Sequence, residues 1–186
     1  MTSSASDLSP GPFADDEFLW LEDIYVGKQL DWVRAENKVT EDLLSETGFE
    51  DTEKRLLEVL DSTDRIPMVT KRGGHYYNFW RDAEHPKGLW RRTTWESYCT
   101  DNPQWEVLLD VDELSRTEDM EWVWGGSAFL RPADGAPYRR ALVVLSPDGG
   151  DAARYREFDV VDRAFVPGGL DIPAAKNRIT WAGPDE

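Results

Sequence analysis

Cysteine and histidine are scarce in this chain, and their scarcity removes several classes of protein. Cys99 is the only cysteine among 186 residues, so no intramolecular disulfide can hold the fold together. The two histidines, His75 and His85, have a spacing from each other and from Cys99 that fits no standard zinc pattern. We therefore assign no metal-binding or cofactor-binding residue, and we expect no cofactor.

Long apolar runs and a leader sequence are also lacking. No stretch approaches the roughly 18 consecutive apolar residues that a membrane-spanning helix needs. The N-terminal sequence MTSSASDLSPGPFADDE has neither the basic region nor the apolar core of a secretory signal. The sequence predicts a soluble, cytoplasmic protein.

Positive charge is in short supply. The chain has 37 acidic and 21 basic residues, which gives a net charge of -16 and a pI near 4.5. Such a field repels the phosphate backbone of nucleic acids and the anionic surface of the cytoplasmic leaflet. We therefore expect neither nucleic acid nor a membrane as a partner.

Tryptophan, in contrast, is abundant, with 9 residues, and such chains are typically rich in β-structure. Composition divides the chain into three regions. Residues 1–16 are rich in Ser, Pro and Asp and are predicted to be a disordered tail. Residues 17–65 are predicted to be a helical segment, and residues 66–186 a β-domain.

Two helices are predicted in the second region. From Gln29 onward, Leu30, Val33, Leu43 and Leu44 fall on one stripe at helical spacing. Gly48 is the predicted stop. A second helix is predicted from about Glu50 to Asp61.

After Pro67, short runs of aromatic and β-branched residues alternate with turn residues, which predicts strands. The predicted strands are Met68–Arg72, His75–Arg81, Leu89–Thr94, Trp105–Asp110, Trp122–Leu130, Arg140–Ser146, Ala153–Asp159, Ala164–Val166 and one beginning near Arg178–Trp181. Two sets of four strands, each about 40–50 residues long, are typical of successive propeller blades. An antiparallel sandwich or meander of the same strands is equally compatible with the pattern.

The stretch GGHYYNFWRDAEHPKGLWRRTT, from Gly73 to Thr94, interleaves arginines with aromatic residues, as single-strand nucleic-acid platforms do. The flanking acids and the overall charge argue against that function. Strand alternation places aromatic side chains on both faces of the segment HYYNFWRD, as expected of a strand between two packed layers. Cross-strand aromatic packing and arginine stacking therefore account for the stretch.

Several partial motifs fail at the positions their chemistry needs. Asp110, Asp112 and Glu121 match positions 1, 3 and 12 of a calcium loop, but positions 5 and 6 supply neither a ligand nor a glycine. We interpret this run as an acidic loop between blades. The sequence around Ser127, GGSAF, lacks the second glycine of a nucleophile elbow. The sequence SPDGGD at residues 146–151 lacks the Lys-Ser/Thr of a phosphate loop and is predicted to be a hairpin turn.

Longer segments carry a resemblance to a known family. FLWLEDI (Phe18–Ile24) followed by DWVRAEN (Asp31–Asn37) resembles the W-L-E-D … W-V-x-x-x-N opening of prolyl oligopeptidase family serine peptidases, peptidase family S9A. GGHYYNFWRDAEHPKGLWRRTT and WEVLLDVDEL are similar to the first propeller blade of that family. SPDGGDAARYREFD is similar to its second blade. The resemblance covers roughly Phe13 to Trp181.

The resemblance implies an N-terminal helical segment, then a seven-bladed β-propeller that admits short peptides, then an α/β-hydrolase domain with the Ser, Asp and His of the catalytic triad. None of the triad motifs has a counterpart in this sequence, so no catalytic residue is carried over. The implied fold class is mainly β with N-terminal helices, an incomplete propeller of about two blades plus the start of a third. The implied partner is the hydrolase domain, in cis in a full-length protein.

By this interpretation the chain is a fragment that does not hydrolyse peptides by itself. An unfinished propeller also exposes strand edges and blade faces, so we expect the isolated chain to be poorly stable. The alternative is a self-contained, tryptophan-rich module that binds a peptide or a glycan. The two interpretations differ in whether the aromatic side chains form a contiguous exposed patch on a closed fold.

Overall fold

The computed structural model describes residues 16–23, 27–45, 48–133 and 135–183. The chain divides into two compact units, residues 1–58 and residues 59–186. The predicted disordered tail, residues 1–16, lies outside the described residues except for Asp16, and so do the last three residues of the sequence.

The first unit begins with a short 3-10 turn, Leu19–Glu22, followed by α1 (Gly27–Ser45). Helix α2 (Phe49–Asp61) starts in this unit and ends three residues past its boundary at Glu58. Both helices form where the apolar stripes predicted them, but neither contains a buried residue, so most of their leucines face solvent. Among the described residues, no helix is long and apolar enough to cross a membrane.

A small aromatic cluster orders the start of this unit. Trp32 of α1 lies with its ring centroid 6.2 Å from that of Phe18 and 6.2 Å from that of Trp20. Gln29 donates from Nε2 to the carbonyl oxygen of Trp20 at 2.7 Å, which ties α1 to the 3-10 turn. Gly48, the predicted stop, lies between the helices at a φ of +78°, which glycine adopts without strain.

The second unit contains two antiparallel sheets. The first sheet has the order β1-β2-β3-β4, formed by β1 (Thr70–Arg72), β2 (His75–Trp80), β3 (Leu89–Thr93) and β4 (Glu106–Asp110). The short helix α3 (Trp95–Tyr98) lies between β3 and β4, and α4 (Val111–Glu118) follows β4. Each strand pairs with its neighbour in sequence, so the sheet is a simple meander.

The second sheet repeats this plan. It contains β5 (Trp122–Phe129), β6 (Arg140–Pro147), β7 (Ala153–Asp159) and β8 (Ala164–Phe165), in that order. A ninth strand, β9 (Asp171–Ala175), pairs with the same edge of β7 as β8 does, but with the first residues of β7. The predicted hairpin at residues 146–151 joins β6 to β7, and Asp148 and Gly149 both have positive φ angles, as a type I′ turn requires.

The core lies between the two sheets. The Trp90 ring of the first sheet contacts Phe158 and Trp124 of the second, with centroids 5.4 Å away in each case. Around it pack alternate residues of β6, namely Ala141, Val143 and Leu145, each of which is fully buried. The period-2 alternation of both sheets is what turns their apolar side chains toward each other.

Two glycines permit close approaches in this packing. Gly88 has a φ of +102°, and a Cβ atom there would lie 2.4 Å from Cζ of Phe79. Gly125 occupies a β-bulge opposite β6, where a Cβ would lie 2.9 Å from Cγ1 of Val144. Glycine is therefore required at both positions by contact, and at Gly88 by conformation as well.

The predicted acidic loop after β4 was wrong, because residues 111–118 form helix α4. Asp110 caps this helix, since its side chain accepts a hydrogen bond from the Glu113 backbone NH at 3.0 Å. Val111 and Leu114 are buried on the face that packs on the sheet. The spacing of these two apolar residues was the helical signal that the acidic composition hid.

The predicted strand near Arg178–Trp181 was also wrong. Residues 177–181 form no regular element, although the Trp181 indole NH donates to the carbonyl oxygen of Ala128 at 2.9 Å. The strand lies earlier, at β9, whose sequence DIPAA has little β-propensity. Pairing with the open edge of β7 decided its conformation, which local propensity does not predict.

Candidate functional site

The first sheet has two faces of different character. Tyr77 and Phe79 of β2 point toward the second sheet, where Tyr77 lies 4.7 Å from Phe129 and Phe79 stacks on Trp124 at 4.9 Å. Tyr76, Asn78 and Trp80 point the other way. We call this opposite side, formed by Tyr76, Asn78, Trp80 and the cross-strand residue Arg91, the outward face.

Aromatic side chains continue along the outward face. The Tyr76 ring lies 5.2 Å from Trp95 and is stacked on Tyr98 at 6.2 Å. Both partners belong to α3, which the structure places beside β2. The prediction of aromatic residues on both faces of this strand is therefore confirmed, and α3 supplies part of the second layer.

Arg91 occupies the centre of the outward face between two tryptophans. Its guanidinium carbon lies 4.5 Å from the ring centroid of Trp80 and 4.3 Å from that of Trp105. Its Nε donates to Oδ1 of Asn78, the residue directly across the strand pair, at 2.9 Å. Burial lowers the pKa of Arg91 to about 10, and the negative charge of Asp82 partly opposes this shift. The predicted arginine stacking is confirmed at this residue.

Arg91 also differs from other arginines of the two sheets in its charge compensation. Across residues 59–133 and 135–183, no carboxylate lies within ion-pair distance of its guanidinium. Seven arginines of the same unit do have such a partner: Arg92 and Arg163 with Glu106, Arg116 with Glu113, Arg139 with Asp159, Arg140 with Glu157, Arg154 with Asp171, and Arg156 with Glu118. Arg91 is therefore a partly desolvated cation stabilised by two π-faces, an amide oxygen and, from beyond ion-pair distance, the charge of Asp82.

A cleft of about 680 Å³ opens onto Arg91. Its walls are Trp80, Tyr98 and Trp105, together with residues 63–67 before β1 and residues 100–103 before β4. Arg65, from the first of these segments, lies over the Trp80 ring at 4.5 Å and donates to the carbonyl oxygen of Arg81. The cleft thus combines aromatic walls with two cations, and its size is that of common ligand clefts, about 300–1,000 Å³.

Arg92, the next residue along β3, points inward and forms a compensated cluster. Its Nε donates to Oε2 of Glu106 at 2.6 Å, and Arg163, in the turn between β7 and β8, lies 3.9 Å from the other carboxylate oxygen. The hydrogen bond from Arg92 holds the pKa of Glu106 below its ordinary value. Burial, reinforced by the Arg92 charge, lowers the pKa of His75 beside them.

The histidines and the cysteine lie in separate structural roles. His85 bonds through Nδ1 to Oδ1 of Asp82 at 3.0 Å, and the same oxygen accepts from the His85 backbone NH at 2.8 Å. His85 therefore stabilises the turn between β2 and β3. Cys99 is exposed. Among the described residues, no group of three or more His, Cys, Asp or Glu side chains could hold a metal ion.

The acidic residues that partly match a calcium loop serve the local fold instead. Asp110 caps α4, and Asp112 accepts hydrogen bonds from the backbone NH groups of Lys87 and Gly88 at 3.1–3.2 Å. Glu121 pairs with the Lys87 ammonium. These acids hold the β2–β3 connection against the start of α4.

Ser127 lies within β5 and lines a cavity of about 200 Å³ beside Phe79, Trp90 and Trp124. In the described part of the chain it makes no hydrogen bond to a histidine. This position inside a strand differs from the strand-to-helix turn that presents a nucleophile in hydrolases. The assignment of no catalytic residue stays a prediction.

Comparison with solved structures defines the class of this fold. The chain matches the structure of a post-proline cleaving enzyme from Rickettsia typhi with a TM-score of 0.72 and 31% identity, over 82% of this chain and 22% of that one. A structure from work on two prolyl endopeptidases matches with a TM-score of 0.53 and 20% identity, over 79% of this chain and 20% of that one, and supports the fold alone. The two sheets therefore correspond to part of a much larger peptidase structure.

Sequence comparison agrees. The uncharacterized peptidase y4nA of Sinorhizobium fredii is 39% identical over 97% of this chain, and the uncharacterized peptidase RP174 of Rickettsia prowazekii is 30% identical over 83%. The family model of the prolyl oligopeptidase N-terminal β-propeller domain matches residues 2–186. The chain belongs to the prolyl oligopeptidase family, through its N-terminal propeller domain. It spans 25% of the length of the Sinorhizobium relative and 21% of the Rickettsia relative.

Proposed function

We propose that this chain is the N-terminal, propeller-side part of a prolyl-oligopeptidase-type serine peptidase that hydrolyses short peptides. The observation that carries the proposal is the agreement of the match to the propeller family model with 31% identity to a post-proline cleaving enzyme over 82% of the chain. The two stacked antiparallel meanders support it further, because they have the strand order of successive propeller blades.

In this proposal, residues 17–65 form the helical segment and residues 66–186 the first blades of the propeller. The partner is an α/β-hydrolase domain carried in cis by the full-length protein, and that domain supplies the Ser, Asp and His. The propeller limits which peptides reach them. The full-length protein acts in the cytoplasm, where a chain with one exposed cysteine needs no disulfide.

The size of the native polypeptide tests this proposal. An antibody raised against the segment Gln29–Asp61 is used to probe an extract of the source cells. We expect a band about four times heavier than 21.3 kDa, because the chain covers 25% of the Sinorhizobium relative. A single band at 21.3 kDa would contradict the proposal and favour the tryptophan-rich binding module.

Peptidase activity provides a second test. We expect the isolated 186-residue chain to leave a fluorogenic peptide with proline before the scissile bond intact, and the heavier native form to cleave it. Cleavage by the isolated chain that a serine-directed inhibitor abolishes would show a triad within these residues and would overturn the assignment of the triad to another domain.

A further inference from the structure

The cleft at Arg91 combines a fixed cation with aromatic walls. Arg91 is fixed at its base by two stacked tryptophans and by the Asn78 amide, so its guanidinium is held in one orientation. A planar guanidinium presents its donors in a fork that matches a carboxylate. The remaining donors of Arg91 have no carboxylate partner in the described part of the chain.

We propose that this cleft binds a carboxylate group through Arg91, between the walls formed by Trp80 and Trp105. A carboxylate there completes the charge compensation that the paired arginines of the same unit already have. The Trp80 and Trp105 rings replace part of the water around the pair, which strengthens a charge-assisted hydrogen bond. They also accommodate the apolar part of the molecule that carries the carboxylate.

The charges around the rim do not cancel this preference. Asp64 and Asp101 line the cleft but are exposed, so water and salt screen them. Arg65 adds a second positive charge against the Trp80 ring. Asp82, the acid whose charge acts on Arg91, is engaged with the Trp80 indole NH and with His85.

The carboxylate has two possible sources. One is the free C-terminal end of a short peptide. The other is an Asp or Glu side chain in a part of the full-length protein outside these residues, a source that rests on the proposed function. Both present the same chemistry to Arg91, and the experiment below separates them.

The test uses N-acetyl-alanyl-alanine and the C-terminal amide of the same dipeptide, which differ only in the carboxylate. Binding to the purified 186-residue chain is followed by isothermal titration calorimetry and by tryptophan fluorescence. We expect the acid to bind roughly tenfold more tightly than the amide, as a hydrogen-bonded charge pair provides. Equal affinities, or no binding of either compound, would overturn the proposal.

Variants assign the preference to Arg91. In Arg91→Met, which keeps a stacking side chain without the charge, the acid and the amide should bind equally. In Arg91→Lys the acid should lose severalfold in affinity, because an ammonium lacks the planar fork. Arg116→Ala, in the exposed pair with Glu113 on α4, is the matched control and should bind as the wild type does.

Near-ultraviolet circular dichroism verifies that each variant is folded. If Arg91→Met does not fold, Arg91→Lys decides the matter, and unchanged affinity for the acid in that variant would overturn the assignment to Arg91. A preference for the acid that persists in folded Arg91→Met would do the same.

The heavier native form identifies the source. If it binds the acid as the short chain does, the site receives free peptide ends. If only the short chain binds it, a side chain from elsewhere in the full-length protein fills the cleft. Either result supports the carboxylate site. A native band at 21.3 kDa alone would contradict the proposed function and leave the comparison on the short chain intact.

Discussion

Both sheets are antiparallel meanders, but they differ in how far the chain covers the face that points away from the core. In the second sheet, the chain itself covers the face away from the core, where Tyr155 is 6% exposed and donates from its hydroxyl to the carbonyl oxygen of Asn177. In the first sheet, the corresponding side carries the outward face, with Trp95 51% exposed and Arg91 open to a cleft. Within the described residues, the outer face of the second sheet is therefore the better covered of the two, since α3 covers only part of the outward face of the first.

The two sheets also differ in how their arginines are paired with carboxylates. The arginines of the second sheet that are named above have carboxylates beside them, whereas adjacent arginines of the first sheet differ because Arg92 is paired and Arg91 is not. Strand alternation separates these neighbours onto opposite faces. The inward arginine is compensated within the chain, and the outward arginine is the one available to a partner.

The largest effect is expected at Trp90, which joins the two sheets. Trp90 is 2% exposed and contacts aromatic rings of both sheets. Trp90→Ala should lower the free energy of unfolding by about 3–5 kcal/mol, because it removes a large buried ring and leaves a cavity. Thermal and urea unfolding measure the loss.

Trp95→Ala is the matched control, since Trp95 lies on the outward face and is half exposed. Its cost should be about 1 kcal/mol or less. Equal losses for the two tryptophans would break the comparison between an inner, packed face and an outer, open one.

A somewhat smaller effect is expected at Gly88. Gly88→Ala places a methyl group against the Phe79 ring, which is stacked on Trp124, and it strains a φ of +102°. The cost should be about 2–4 kcal/mol, from overpacking together with backbone strain. Differential scanning calorimetry against Gly74→Ala measures it, because a Cβ at Gly74 meets nothing within 4 Å. Equal melting temperatures for the two variants would show that the close approach at Gly88 is not maintained in solution.

The adjacent arginines provide the next contrast. Arg92→Met removes the partner of Glu106 and should cost about 1–3 kcal/mol. Arg91→Met loses two cation–π contacts but also removes a partly desolvated charge, so the net change should stay within about 1 kcal/mol. Urea unfolding of the two variants side by side tests this, and a larger loss for Arg91→Met would mean that Arg91 is compensated within the chain.

The smallest effect is expected on the way stability falls at acidic pH. The pKa of Glu106 is lower in the folded chain than its unfolded value of about 4.3, because Arg92 donates to its carboxylate. The stabilisation is therefore fully present above about pH 4.3 and is lost as the pH falls through the lower folded pKa. Glu106→Gln should therefore flatten the dependence of stability on pH from about pH 4.3 downward.

Melting temperatures across this pH range measure the effect of Glu106→Gln. In the Arg92→Met background, the same substitution should change this pH dependence much less, because the partner that lowers the pKa is gone. An equal change in both backgrounds would place the origin of the pH dependence elsewhere.

Most of the strand pattern was predictable, and the exceptions have physical causes. The prediction placed β2, β3, β6 and β7 within about one residue of their observed bounds, since their alternation is strong and both of their faces are in contact with other residues. It missed β9, whose sequence favours no strand, and it mistook α4 for a loop. In both cases a contact distant in sequence, the free edge of β7 or the buried surface under Leu114, decided the conformation.

The site was predictable only in part. The sequence indicated that arginines stack on aromatic residues in the stretch from Gly73 to Thr94, which the structure confirms for Arg91 and Trp80. It gave no sign that Trp105, the residue directly before β4, forms the second wall of the cleft. The segment before β1 contributes Arg65 to the same cleft, again from outside the stretch.

The sequence by itself determined the family, the two helices and the order of strands. These depend on local alternation and on motifs that are contiguous along the chain, so no tertiary contact is needed to recognise them. Only the tertiary structure decided which arginine is compensated. Arg91 and Arg92 are chemically identical neighbours. Their difference arises because Arg92 faces the packed interior, where it pairs with Glu106 of the neighbouring strand, while Arg91 faces a cleft between segments distant in sequence.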